Sequence, residues 1–189
     1  MEVGTLNKLV TSKEDILEVS KNLILEKGIS SFNMREVASL CNISVGAVYN
    51  YFPSKAELIM ATVESVWIEI FEPFNENRHF DSFADAVSFM FDIIQNGNSK
   101  YPGFFTFHSL NFASSEKKNG IQLMKKYFSF LQERLALVLD ADKNVRSGVF
   151  DDCFTKQVFI QYIFTLLLSD LLKGNSSCPL LGFIRNCIY

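Results

Sequence analysis

The 189-residue chain is 48% apolar and has a formal net charge of −3 and a pI near 5.4. That is ample for a core of one large or two small domains, and the slight acidity excludes a protein whose whole surface embraces nucleic acid. Cys41, Cys153, Cys178 and Cys187 show no paired spacing, and His79 and His108 complete no metal-ligand pattern beside them, so no cofactor is expected and the thiols read as buried and reduced.

Sparse proline and glycine together with sustained helical periodicity predict an all-α protein. Met1 to Val10 lacks the basic start and apolar run of a signal peptide. It reads as a loose arm in which Lys8 is an extra phosphate contact. Thr11 and Ser12, followed by Glu14 and Asp15, start a helix that runs to about Lys27 with an inner stripe of Ile16, Val19, Ser20, Leu23 and Ile24. Gly28 ends it.

Asn33 caps the next helix, with Glu36 at capping-box spacing, and its apolar face is Met34, Val37, Ala38 and Cys41. Asn42 takes the left-handed conformation that ends this helix, and Ser44 caps another over about Val45 to Tyr51. That helix turns Val48 and Phe52 to one face and Ser44, Val45, Ala47 and Tyr49 largely to others. Pro53 stops it. Two short helices joined by so tight a turn are a helix-turn-helix, and with the preceding helix they make a three-helix domain plugged by Phe32 and Phe52.

Ser54 with Glu57 caps a further helix that has Lys55 in its first turn. A lysine at a helix N-terminus is poorly placed for helix stability and well placed for phosphate. The pattern continues to about Phe71, and Ile59, Val63, Val66, Trp67 and Ile70 would be wasted unless a second body packed on them. Pro73 ends the helix, and Asn75 to Asp81 is a polar connection.

Composition then shifts, with seventeen of the nineteen phenylalanines at or after Phe71. Helices are predicted at about Ser82–Gln95, Lys100–Ala113, Glu116–Leu139, Ser147–Lys173 and Pro179–Ile188. Turns are predicted at Asn96-Gly97-Asn98, Pro102-Gly103, Asn119-Gly120 and Gly174. Phe104, Phe105, Phe107, His108, Phe112, Tyr127, Phe128 and Phe130 are more aromatic residues than one helical stripe can point inward. They form either a phenylalanine-rich core or a cavity for a flat or greasy ligand. The run Phe159 to Leu168 is apolar nearly all round and needs cover on every side, for which a partner subunit is the economical source. Its stretch to Leu172 is interrupted by Gln161, Ser169 and Asp170 and is too short to span a bilayer. A soluble, cytoplasmic protein is expected.

The run Ser44-Val45-Gly46-Ala47-Val48-Tyr49-Asn50-Tyr51-Phe52-Pro53-Ser54-Lys55-Ala56-Glu57-Leu58 resembles the DNA-binding signature of the tetracycline-repressor (TetR) family. Gly28-Ile29 and Asn33-Met34-Arg35-Glu36-Val37-Ala38 fit the same pattern, and the match covers roughly residues 12 to 60. The resemblance implies an all-helical homodimer that binds palindromic operator DNA and releases it when a small molecule enters a C-terminal pocket. It implies a helix-turn-helix domain over 1–53, a linking helix over about 54–71, and a ligand-binding and dimerisation domain over 72–189.

Carried over by position, Asn33 and Arg35 meet phosphate or a base edge, Ser44, Val45, Gly46 and Ala47 face the major groove, and Tyr49, Asn50, Tyr51 and Lys55 hold the backbone. Val45 and Ala47 depart from the polar side chains that the family often has there, and can touch thymine methyls only. The effector is expected to be apolar or aromatic, against Phe104, Phe105, Phe107, His108, Phe112, Tyr127 and Phe128. The last two helices would pair in the dimer, with Ile163 and Leu167 as interface positions. The alternative is a helical small-molecule-binding protein or an enzyme with a vestigial helix-turn-helix. No catalytic constellation supports the enzyme.

Overall fold

The computed structural model describes residues 12–74, 78–102 and 114–189. Among these the regular secondary structure is all helical, with no strand. The helices are α1 (Lys13–Lys27), α2 (Met34–Leu40), α3 (Val45–Tyr51), α4 (Lys55–Phe71), α5 (Phe83–Lys100), α6 (Ser114–Ala141), α7 (Lys156–Lys173) and α8 (Cys178–Ile188). Single 3-10 turns lie at Ile29–Ser31 and Glu72–Phe74. Two compact units, Met1–Val66 and Trp67–Tyr189, divide the chain within α4.

In the first unit each helix begins where a side chain satisfies its free amides. Ser12 Oγ accepts from Asp15 N at 3.0 Å while Asp15 Oδ2 accepts from Ser12 N at 2.8 Å, closing both halves of a capping box. Ile16, Ser20, Leu23 and Ile24 of α1 are buried, and they share a core with Phe32, Val37, Val48, Phe52 and Leu58. Burying such side chains contributes about 1.5–3 kcal/mol each, which is what holds short helices such as α2 and α3 that would not persist alone. The buried stripe of α4 (Ile59, Val63, Val66, Trp67, Ile70) is the one its periodicity predicts.

In the second unit α5 packs on α6, α7 and α8, and α7 packs on both α6 and α8. The core is Phe83, Val87, Met90 and Phe91 of α5, Leu131, Leu135 and Leu139 of α6, Phe159, Ile163 and Leu167 of α7, and Leu180, Ile184 and Ile188 of α8. Ile163 and Leu167 therefore lie in their own subunit's core, which corrects their assignment to an interface. The side of α7 left exposed carries Tyr162 and Leu166.

Several predicted boundaries are also corrected. Asn96-Gly97-Asn98 is not a turn but lies inside α5, and Asn119-Gly120 lies inside α6. Gly97 is there for close approach, since a Cβ on it would stand 2.8 Å from Ile70 Cδ1 and Cγ1. The helix expected to begin at Lys100 does not, because that residue ends α5; positions 103–113 of it lie outside the described residues. The helix expected from Ser147 begins at Lys156. Before it, Gly148 has φ +77°, Asp151 Oδ1 accepts from Cys153 N at 2.8 Å and Phe154 N at 2.6 Å, and Thr155 caps α7 through Val158 N. Cys153 and Cys178 are exposed, not buried, and no disulfide joins any of the four cysteines.

One polar network ties together three parts of this unit. Asp142 Oδ2 accepts from Phe83 N at the start of α5 (2.8 Å) and from the Tyr189 hydroxyl (2.5 Å), and Oδ1 accepts from Asn144 N (2.9 Å). The phenol oxygen in turn accepts from Ala84 N at 3.3 Å. Burial pushes the Asp142 carboxyl up, but hydrogen bonds from Tyr189, Phe83 and Asn144 outweigh it and leave its pKa below the usual value. Burial, then donation to Asp142, holds the Tyr189 phenol above its usual value.

Two outcomes are expected. Gly97→Ala should destabilise the fold by about 1–3 kcal/mol in urea unfolding, because overpacking against Ile70 exceeds the gain of about 1 kcal/mol in helix propensity. The depressed Asp142 carboxyl stabilises the fold above its unfolded pKa of about 4, a contribution lost as pH falls through the lower folded value. The raised Tyr189 phenol contributes below its unfolded pKa of about 10, and this is lost as pH rises through the higher folded value. Unfolding measured across pH should therefore show a shallower acid limb in Asp142→Asn and a shallower alkaline limb in Tyr189→Phe.

Candidate nucleic-acid interface

The two helices of the motif are fixed by local chemistry. Asn33 Oδ1 accepts from Glu36 N at 2.9 Å, and its amide nitrogen donates to Glu36 Oε2 at 3.2 Å. The other Glu36 oxygen takes the Lys27 ammonium, which ties α1 to α2 and raises the lysine's pKa. At the far end of α2, Asn42 has φ +54°, and Asn42 N and Ile43 N donate to the carbonyls of Ser39 (3.1 Å) and Ala38 (3.0 Å). This is a Schellman stop made with asparagine, and it reverses the chain within four residues. Ser44 Oγ then accepts from Ala47 N at 3.1 Å and starts α3.

α3 is oriented by what it buries. Val48 is fully buried and Phe52 is 3% exposed. With 3.6 residues per turn, the side opposite Val48 carries Gly46 and Asn50, both exposed, flanked by Val45, Ala47 and Tyr49. Tyr49 and Tyr51 are exposed as well. Nothing inside the fold requires glycine at 46, since a Cβ there would meet only Ser44 Oγ at 3.8 Å. A glycine in a helix interior costs about 1 kcal/mol relative to alanine, and no close contact inside the fold calls for it here.

Ser54 Oγ accepts from Glu57 N at 3.1 Å, and Lys55 follows, exposed, as the first residue of α4. Arg35 is exposed on α2, and neither it nor Lys55 has an ion pair among the described residues. Arg35, Ser44, Gly46, Tyr49, Asn50, Tyr51 and Lys55 thus all reach solvent, with Val45 and Ala47 partly so. Asn33 is exposed too, but both ends of its amide are engaged with Glu36.

Lys13 was missed by the sequence reading. It is exposed in the first turn of α1, its ammonium 5.4 Å from the centre of the Phe52 ring at the end of α3. The signal was the one used at Lys55: a lysine directly after a capping serine.

Of the residues proposed to line an effector pocket, Phe104, Phe105, Phe107, His108 and Phe112 lie outside the described residues. Tyr127 and Phe128 are described, and both pack on Trp67. Phe128 stacks on the indole (6.2 Å between centroids, planes 8° apart), and Tyr127 meets it edge-on at 5.4 Å. Phe128 also meets Phe164 edge-on at 5.0 Å. Two residues beyond Trp67, Glu69 Oε1 accepts from Lys100 Nζ at 2.5 Å and the Tyr101 hydroxyl at 2.6 Å, which holds the end of α4 to the end of α5. The Glu69 hydrogen bond raises the Lys100 pKa.

Comparison with known proteins bears on both parts. Residues 16–62 match the family model described as bacterial regulatory proteins, tetR family. The nucleoid occlusion factor SlmA of Haemophilus ducreyi is 28% identical over 145 residues, 74% of this chain and 70% of that protein. The reduced form of NemR from E. coli superposes with a TM-score of 0.63 at 16% identity, covering 93% of this chain and 96% of that one. FadR from Bacillus subtilis, in complex with stearoyl-CoA, superposes with a TM-score of 0.62 at 13% identity, over 93% and 88% of the two chains. The likeness to these two structures is one of fold. Among the described residues no helix is long and apolar enough to cross a membrane.

Proposed function

From a chain that carries the DNA-binding domain of the tetR family of bacterial regulatory proteins, we propose a transcriptional repressor that binds palindromic operator DNA as a dimer in the cytoplasm. The observation that carries this reading is the outward side of α3, where a glycine with no internal reason to be there sits between exposed polar residues. Gly46 lets the helix backbone approach the floor of the major groove. We assign Asn50, exposed one turn on, an adenine edge in place of the backbone contact first expected of it, while Ser44 keeps its hydroxyl proton to donate and Val45 and Ala47 reach thymine methyls. Arg35, Tyr49, Tyr51, Lys55 and Lys13 hold phosphates and set the register.

Two substitutions separate reading from holding. Lys55→Ala should weaken binding to every duplex by a similar factor and lower the slope of log K against log salt by about 1. Gly46→Ala should raise the unfolding free energy by about 0.5–1 kcal/mol and yet weaken specific binding. A Gly46→Ala protein that gains stability and keeps full operator affinity would remove α3 from the groove.

The dimer is proposed to form through α7 and α8, where Tyr162, Leu166 and Phe183 are 60%, 42% and 48% exposed on helices otherwise packed into the core. Leu166→Glu should leave helical content intact and give a monomer in sedimentation, with operator affinity lost because one head alone holds a half-site too weakly.

Release is proposed to come from an apolar or aromatic effector entering beside Trp67, Tyr127 and Phe128. The acyl chain in the name of FadR's ligand supports a greasy effector, and Trp67 lies on the helix that begins at Lys55. A second reading is DNA occupancy without release. It is supported by the rings already stacked on Trp67 and by the similarity to a nucleoid occlusion factor. Titrating a panel of hydrophobic aromatic compounds against Trp67 fluorescence and against an operator complex divides the two. Binding should lower operator affinity, and by linkage operator should lower compound affinity by the same factor. Compounds that quench Trp67 and leave DNA affinity untouched would favour the second reading.

A further inference from the structure

We propose that the cleft lined by Arg78, Phe80, Arg134, Leu137, Val138 and Lys143 is a second small-molecule site, for an amphipathic anion with a carboxylate or phosphate head and an apolar tail. It lies in the second unit, has a volume of about 550 Å³, and shares no residue with the aromatic group around Trp67. Its lining carries three permanent cations, Arg78, Arg134 and Lys143, and one carboxylate, Asp81, which lies 3.9 Å from His79. The neighbouring Asp142 is already engaged with Phe83, Tyr189 and Asn144.

Arg78 is the strongest element. Its guanidinium stands 3.7 Å from the centre of the Phe89 ring and 5.6 Å from that of Phe80. Phe80 and Phe89 pack on each other at 5.7 Å, and both pack on buried Phe74. Stacking uses the face of the guanidinium and leaves its in-plane N–H donors pointing outward. No hydrogen bond or ion pair with a described residue occupies them, nor the ammonium of Lys143. An arginine oriented on an aromatic shelf, with its fork unfilled, is suited to bidentate capture of an oxyanion. Beside it, Leu137 is 58% exposed, with Val138 and Ala141 on the same turn of α6, giving an apolar strip that a tail would cover.

The test uses the full-length protein and three probes that share one tail: decanoate, decyl phosphate and decanol, each below its aggregation threshold, in isothermal titration. Decanoate or decyl phosphate should bind saturably with one site per chain, and the tighter of the two assigns the head. Affinity should fall roughly tenfold or more for decanol, for the Arg78→Gln/Lys143→Gln double variant, and for Leu137→Asp. All three positions are exposed, so circular dichroism should show unchanged helicity. The proposal is overturned if neither anion binds, if decanol binds as well as the anions, or if the double variant retains full affinity. It is equally overturned if anion binding changes Trp67 fluorescence identically in wild type and double variant, which would place the probe beside the indole.

Discussion

The inward pull on Val48 and Phe52 decides what the short third helix can show to the outside. Both are buried, and because each residue turns the helix by about 100°, burying them leaves Gly46 and Asn50 on the opposite side. A seven-residue helix has little stability of its own, so its orientation is set by these anchors together with the Ser44 cap at its start. The chemistry available to a duplex follows from that orientation: one backbone stretch without a Cβ, one amide, one hydroxyl and two small apolar side chains. The candidate surface is thus a consequence of core packing, and a change at Val48 would reach the DNA side without touching it.

The parts legible in the sequence were those decided within four or five residues. Ser12, Asn33, Ser44 and Ser54 cap helices where their spacing says they should, and Asn42 takes the left-handed conformation. What failed depends on distant partners. A glycine that makes a turn and a glycine that admits a neighbour look alike locally, and only Ile70, on another helix, shows that Gly97 is the second kind. The segment before α7 stays non-helical partly because Arg146 donates to the carbonyls of Asn186 and Cys187 and, through its backbone, to that of Ile188. An all-round apolar helix such as α7 gives no phase in its sequence. Its inner side is chosen by α5, α6 and α8, which leaves Tyr162 and Leu166 outside where Ile163 and Leu167 had been expected.

The DNA binding proposed for an acidic protein is less paradoxical once its charges are followed to their partners. Lys21 and Lys27 are spent on Glu18 and Glu36, pairs that brace α1 and α2. Lys13, Arg35 and Lys55 remain without an ion pair among the described residues, at the start of α1, on α2 and at the start of α4. In the proposed dimer, three phosphate contacts per head, six in all, would correspond to a salt slope of about −5. That would suffice for the proposed salt-sensitive regulator without enlisting basic residues outside the reading head.

The end of α4 is held to the rest of its unit by contacts of different tolerance. Trp67 has Phe128 stacked on its indole and Tyr127 edge-on to it. Glu69 is clipped by Lys100, through an exposed hydrogen bond that water can replace, and by the hydroxyl of buried Tyr101. Ile70 sits in the notch left by Gly97, where an added Cβ would stand 2.8 Å from its side chain. In the release proposed above, an effector that displaced Trp67 by a small amount would either leave Ile70 in its notch, carrying the end of α4 with α5, or eject it. Close packing of this kind favours discrete arrangements over graded ones, the property that the proposed release would need.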